Sequence, residues 1–316
     1  MPSHGNFLDR LDPEIATAVA TMGDIDLSDI PATRTAMSQT MPPSQSTPGV
    51  RSTDRVFPAS GARAEFAARI HRPDTDSHGI PALLWVHGGG HVVGHAGQDD
   101  VTLQALVART GCVAVAVEWR KSPENPYPDS LDDCYAALQW MASPDNDLGI
   151  DPHRIMVAGV SSGGGVAAGL ALLARDRGGP TIHAQMLLYP MLDDRELTAS
   201  STSFVDQRVW NATSNRIGWD AYLTGIDRAE VPVYAAPGRT IDLAGLPPTW
   251  IAAGELDPLV DESVDYAQRL MTAGVSTELH VYPGAVHGFD ALIPDAAVSV
   301  RLKAARDAAF DRWLSA

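Results

Sequence analysis

Lysine is almost missing: the 316-residue chain has only Lys121 and Lys303, so nearly all of its positive charge is arginine. Lys and Arg number 23 against 39 Asp and Glu, a formal net charge of −16 at pH 7. That balance argues against nucleic acid and anionic membrane surfaces as partners, and it mildly disfavours anionic substrates. Cysteine is equally scarce. Cys112 opens an apolar strand and Cys134 sits in an amphipathic helix, which excludes a disulfide scaffold; both read as small buried hydrophobes rather than nucleophiles. No apolar run approaches the roughly 20 residues that a membrane helix needs. The opening stretch, MPSHGNFLDRLDPEIATAVATMGDIDL, is acidic and interrupted by charge, unlike a signal peptide, so the expected location is cytoplasmic.

Hydrophobic residues make up 45% of the chain, enough for a large core without a metal or disulfide staple. The length allows two domains, but a single α/β domain also fits. After a short helical pattern at 13–22, Pro31, Pro42, Pro43 and Pro48 punctuate a segment that reads as an appendage laid over a core. Strand-like segments follow at 54–58 and 64–71. Then come ALLWV at 82–86, CVAVAV at 112–117 and IMVAGV at 155–160, without clean alternation, as in parallel strands buried on both faces. Helical patterns at 99–110, 129–142, 162–176, 258–273 and 296–314 alternate with further strands at 182–188, 248–253 and 276–282. That alternation predicts an α/β architecture, a mostly parallel sheet flanked by helices. Residues 190–245 break the rhythm and are long enough for a lid element. Strand 276–282, if it is a sheet edge, offers a route to a homodimer.

Four local patterns carry chemistry. GVSSG at 159–163 follows an apolar strand and leads into a helix, the setting in which G-x-S-x-G lifts a serine onto a sharp turn. Ser161 then stands at a helix N-terminus, where developing negative charge is favoured. A Gly/Ser-rich turn without function is the plain alternative. HGGG at 87–90 follows ALLWV, and its glycines leave backbone N–H groups unobstructed, so Gly89 and Gly90 with Ser162 form a candidate oxyanion hole. A phosphate-cradling loop would need a Gly-Lys-Ser/Thr continuation, which is lacking. GELDPL at 254–259 puts Asp257 just past a strand, with Glu255 and Asp261 as competitors. PGAVHGF at 283–289 puts His287 in a Gly-flanked loop beyond another strand. The order Ser161, Asp257, His287, each after its own strand, matches a nucleophile, orienting acid and base arranged for acyl transfer.

Two other patterns are weaker. His87, His91 and His95 recur every four residues, but the glycines between the first two are poor helix material, and no metal site is expected. Asp132/Asp133 and Asp193/Asp194 are adjacent rather than convergent, so helix capping or solvated surface is expected.

With HGGG, GVSSG, GELDPL and HGF in that order, and with SPENPYPDSLDDCYAALQW, YPMLDDR and LPPTWIAAGELDPLVDE around them, the chain resembles the hormone-sensitive-lipase-like esterases of the α/β-hydrolase superfamily. The likeness runs from about residue 50 to the C-terminus. It implies an eight-stranded α/β-hydrolase sheet with a helical cap, residues 1–50 being a cap segment and 51–316 a catalytic domain with a cap insertion at about 196–235. It also implies a cofactor-free serine carboxylesterase using Ser161, Asp257 and His287, acting on short- to medium-chain uncharged small-molecule esters. The chain departs from the family pattern at Val160, where Asp is frequent, at Ser162 for Ala, and at His91 for an aromatic residue. His91, Trp210, Trp219 and Tyr222 are candidate substrate contacts, although aromatics at helical spacing are more often packing. An amidase or formamidase with the same triad is an alternative. A non-catalytic receptor, as in the plant gibberellin receptors that resemble this family, is disfavoured by the presence of His287.

Overall fold

In the computed structural model, residues 7–40, 46–58, 65–75, 78–144 and 146–315 are described. Residues 1–6 of the opening stretch, with Pro42, Pro43 and Ala64, lie outside them. The eight strands are β1 (Val50–Phe57), β2 (Phe66–Pro73), β3 (Ile80–Val86), β4 (Val113–Glu118), β5 (Ile150–Val160), β6 (Ala184–Leu188), β7 (Thr249–Leu256) and β8 (Thr277–Val286). They form one sheet in the order β1-β2-β4-β3-β5-β6-β7-β8, antiparallel at β1–β2 and β2–β4 and parallel from β4 onward.

The missing alternation in the central strands has a direct cause. Leu83 and Trp85 of β3 join one apolar cluster, and Leu84 and Val86 join another on the opposite face, so every residue of β3 is buried. The first cluster is closed by α4 (Asp100–Thr110) and α11 (Ala297–Leu314), the second by α5 (Asp129–Met141), α6 (Ser162–Asp176) and α9 (Val260–Thr272). Leu131, Cys134, Tyr135, Leu138 and Met141 all face that second core, as their spacing requires. Gly111 ends α4 in the left-handed region at φ 70°.

Short helices α1 (Phe7–Arg10), α2 (Pro13–Val19) and α3 (Ile30–Thr40) precede the sheet. Between β6 and β7 lie α7 (Ala199–Ser203) and α8 (Ala212–Tyr222), and α10 (Phe289–Leu292) follows β8. Among the described residues no helix is long and apolar enough to cross a membrane. Strand β8 is a sheet edge, with its Gly284 carbonyl taken by the Asp12 N–H at 3.0 Å. Strands β5 and β8 are longer than their apolar cores: β5 starts at Ile150, paired with Ile80, and β8 runs through Pro283 to Val286, directly before His287.

The paired aspartates are a correction. Asp133 and Asp194 are buried rather than solvated. Asp133 accepts the Arg120 backbone N–H at 2.8 Å and its guanidinium at 2.8 Å. Asp194 takes Arg239 in a fork at 2.6 and 2.9 Å, with Arg228 at 3.4 Å. Each carboxylate is tolerated inside because an arginine supplies directed donors.

Candidate active site

Ser161 joins β5 to α6 and has φ 57° and ψ −123°, a conformation that a side-chain-bearing residue holds only under constraint. Its N–H donates to the Leu188 carbonyl at 2.9 Å, and its own carbonyl accepts from Gly165 at 3.1 Å and Met191 at 3.0 Å. Neighbouring strand and helix therefore fix the turn from both sides. The helix passes close: a Cβ at Gly163 would stand 2.2 Å from the Val86 carbonyl oxygen, which only glycine avoids.

Strands β7 and β8 end beside this turn. His287 Nε2 lies 2.8 Å from Ser161 Oγ, and His287 Nδ1 lies 2.7 Å from Asp257 Oδ2. The other Asp257 oxygen accepts the Leu259 N–H at 2.9 Å, so the carboxylate is anchored and fully buried. The competing acids are engaged elsewhere. Glu255 holds Arg10 at 3.2 Å and the Gly284 N–H at 2.9 Å, while Asp261 accepts from the Ser200 N–H at 2.8 Å.

The glycines after β3 close the fourth side. A Cβ on Gly88 would lie 3.3 Å from Ser161 Cβ, so this loop abuts the serine turn. Gly89 has φ +140°, and a Cβ there would fall 2.0 Å from the Val93 carbonyl oxygen. Among the described residues no protein acceptor takes the N–H of Gly89 or Gly90. Ser162, as the first residue of α6, has none within its helix. Among the described residues, the N–H groups of Gly89 and Gly90 thus stand without an acceptor in a loop that abuts the serine turn.

The α/β-hydrolase fold family matches residues 83–291, which is most of the chain. The chain belongs to this family, in its hormone-sensitive-lipase-like esterase branch. It is similar to carboxylesterase NlhH of Mycobacterium tuberculosis, 36% identical over 264 residues that make up 81% of each chain. Esterase LipI of the same species is 38% identical over 236 residues, 72% of each chain. A solved bacterial heroin esterase superposes with a TM-score of 0.92 at 39% identity, covering 98% of this chain and 100% of its own.

One departure from the branch's motif, His91, lies in the loop after HGGG. His91 is buried at φ 65°, stacked on Tyr222 with ring centroids 3.8 Å apart, with Trp219 at 5.5 Å and Trp119 at 6.5 Å. Burial holds its imidazole neutral, pushed down to about 3, and among the described residues neither ring nitrogen has a hydrogen-bond partner. Trp219 and Tyr222 are themselves buried and surround His91 behind the loop. Trp210 is different: half-buried, it lies 5.8 Å from the His287 ring, and a Cβ on Gly90 would come within 2.3 Å of its Cη2. His87 stacks on Trp119 at 4.6 Å, on the ring that His91 meets edge-on, and His95 caps the turn at Ala96–Asp99. Cys112 and Cys134 are buried and free, and burial raises the Cys112 thiol to about 11.

Sequence reasoning missed two neighbours. Tyr189, just after β6, packs edge-on against the His287 ring at 4.8 Å and donates its hydroxyl to Asp290 at 2.8 Å. Glu262 of α9, raised well above the usual carboxylate range by burial, accepts the Leu192 N–H at 2.6 Å and steadies the segment after β6. The position of YP directly after a buried strand was the available signal for Tyr189; Glu262 looks like an ordinary helix acid.

Proposed function

We propose that this carboxylesterase hydrolyses uncharged small-molecule esters of short to medium acyl chain through an acyl-enzyme on Ser161. The continuous hydrogen-bond chain from Ser161 Oγ through His287 to buried Asp257 carries the reading. Ser161 is a weak nucleophile at its own pKa, and His287 Nε2 accepts its proton as Oγ attacks the ester carbonyl. The carbonyl oxygen becomes an oxyanion held by the N–H groups of Gly89, Gly90 and Ser162. As the tetrahedral centre collapses, His287 returns the proton to the departing alkoxide. Water then repeats the cycle on the acyl-enzyme with His287 again the base, and the acid leaves. Asp257 keeps Nδ1 protonated and stabilises the imidazolium.

Residues 1–50 and about 196–235 act as the cap over a catalytic domain of 51–316. The close approach of the Trp210 ring to Gly90 supports short acyl groups, since little room remains beside the oxyanion donors. The net charge of −16 supports uncharged substrates. Nitrophenyl esters of increasing acyl length test this. The expected profile peaks at short to medium chains, and Ser161→Ala lowers kcat on the order of 10⁴-fold or more. A maximum at long chains contradicts the substrate assignment, and an active Ser161→Ala contradicts the nucleophile.

A further inference from the structure

Helix α3 belongs to a segment that reads in sequence as an appendage, yet one of its side chains reaches the HGGG loop. Arg34 Nε donates to the Val92 carbonyl at 2.7 Å, and Nη2 donates to the Ser122 carbonyl at 2.7 Å. The Glu124 carboxylate takes Nη1 and Nη2 at 3.0 and 2.9 Å. We propose that Arg34 is a positioning residue for the oxyanion donors, coupling the N-terminal segment to transition-state stabilisation. This inference rests on the oxyanion reading above.

Peptide planarity transmits the contact. The Gly89 carbonyl and the Gly90 N–H belong to one peptide group, so fixing the carbonyl fixes where the N–H points. That carbonyl accepts from Val92 N at 3.0 Å and Val93 N at 2.9 Å. The carbonyl of the same Val92 is held by Arg34. The His91–Val92 peptide is gripped at both ends, its carbonyl accepting from Ser122 N and its N–H donating to the Gly89 carbonyl, each at 3.0 Å, and the Ser122 carbonyl is the second Arg34 acceptor. One guanidinium therefore braces both strands of hydrogen bonding that set the loop.

Packing acts in the same direction. Leu27 is buried against Val92, Val93 and Ala221, with Ile30 and Trp210 at the margin of that cluster. The apolar contact keeps the segment against the loop but has no directionality; the planar fork of Arg34 supplies it. The Glu124 contact contributes least. Its carboxylate side chain is 54% exposed, and ion pairs at such sites are worth little.

Kinetics of Arg34→Ala, Arg34→Lys and Glu124→Gln on a nitrophenyl ester test the proposal, together with inhibition by a trifluoromethyl ketone. The hydroxyl of Ser161 adds to the ketone carbon and gives an anionic hemiketal oxygen in the oxyanion position, the proton going to His287. Arg34→Ala is expected to lower kcat on the order of tenfold with KM within about twofold, because displaced donors weaken the transition state rather than ground-state binding. The inhibition constant of the ketone rises by the same factor. Arg34→Lys recovers part of the loss, having one donor point instead of a fork, and remains the decisive variant if Arg34→Ala does not fold. Glu124→Gln loses less than Arg34→Ala. Unchanged kcat and ketone affinity in a folded Arg34 variant, or a rise in KM alone, overturns the proposal. If wild type itself forms no adduct with the ketone, it is the Ser161 reading that fails.

Discussion

Replacing Asp257 by Asn changes one atom and tests the tautomer argument. In the proposed mechanism, Asp257 Oδ2 takes the proton of His287 Nδ1 across 2.7 Å, which leaves Nε2 to accept from Ser161 Oγ. Oδ1 is committed to the Leu259 N–H at 2.9 Å. An asparagine keeps its oxygen on that N–H, which turns its NH2 toward His287. Nδ1 must then accept, the ring proton moves to Nε2, and the base is lost. Turning the amide over would set two donors face to face at a fully buried site, at a cost of about 1–3 kcal/mol, and would still leave the imidazolium without a negative partner. The expected loss is about 10⁴-fold in kcat, about 5 kcal/mol of barrier, with KM little changed. Initial rates on nitrophenyl acetate read it, with circular dichroism confirming the fold. A loss below about tenfold would refute the tautomer role of Asp257.

His91 titrates near 6.5 when unfolded and near 3 when folded, so the unfolded chain binds a proton that the native state refuses. The stability it contributes is complete above about pH 6.5 and is lost as pH falls toward 3, about 2 kcal/mol of it by pH 5. Urea midpoints at pH 7 and pH 5 should therefore converge in His91→Phe relative to wild type; an identical acid loss in both would contradict the buried neutral ring. Asp194→Ala removes the fork that holds Arg239, and equilibrium unfolding in urea should show about 2 kcal/mol of destabilisation. A change under about 0.5 kcal/mol would mean that the buried pair contributes no net stability.

The sheet and the serine, aspartate and histidine positions were legible because their signals are local. Each of Ser161, Asp257 and His287 stands next to the end of an apolar strand, within two residues of a glycine or proline, and strand ends in this architecture meet at one edge. The limits of β5 and β8 were not legible. Pro152 punctuates β5 and residues 151–154 are exposed or half-buried, so the apolar run marks only its core; in β8 Pro283 interrupts the pattern, although Ala285 and Val286 beyond it are buried. Asp133 and Asp194 resembled surface acids because the arginines that make their burial tolerable come from other elements. Arg34 was invisible for the same reason: its acceptors lie 58 and 88 positions away, and backbone carbonyls leave no trace in a side-chain pattern.

Mass spectrometry of acid-quenched enzyme mixed with a slowly hydrolysed ester tests the central claim most directly. The account predicts a chain heavier by one acyl group, carried on the peptide containing Ser161 and missing in Ser161→Ala. Full turnover with no adduct at any time, or an adduct on another residue, would contradict it.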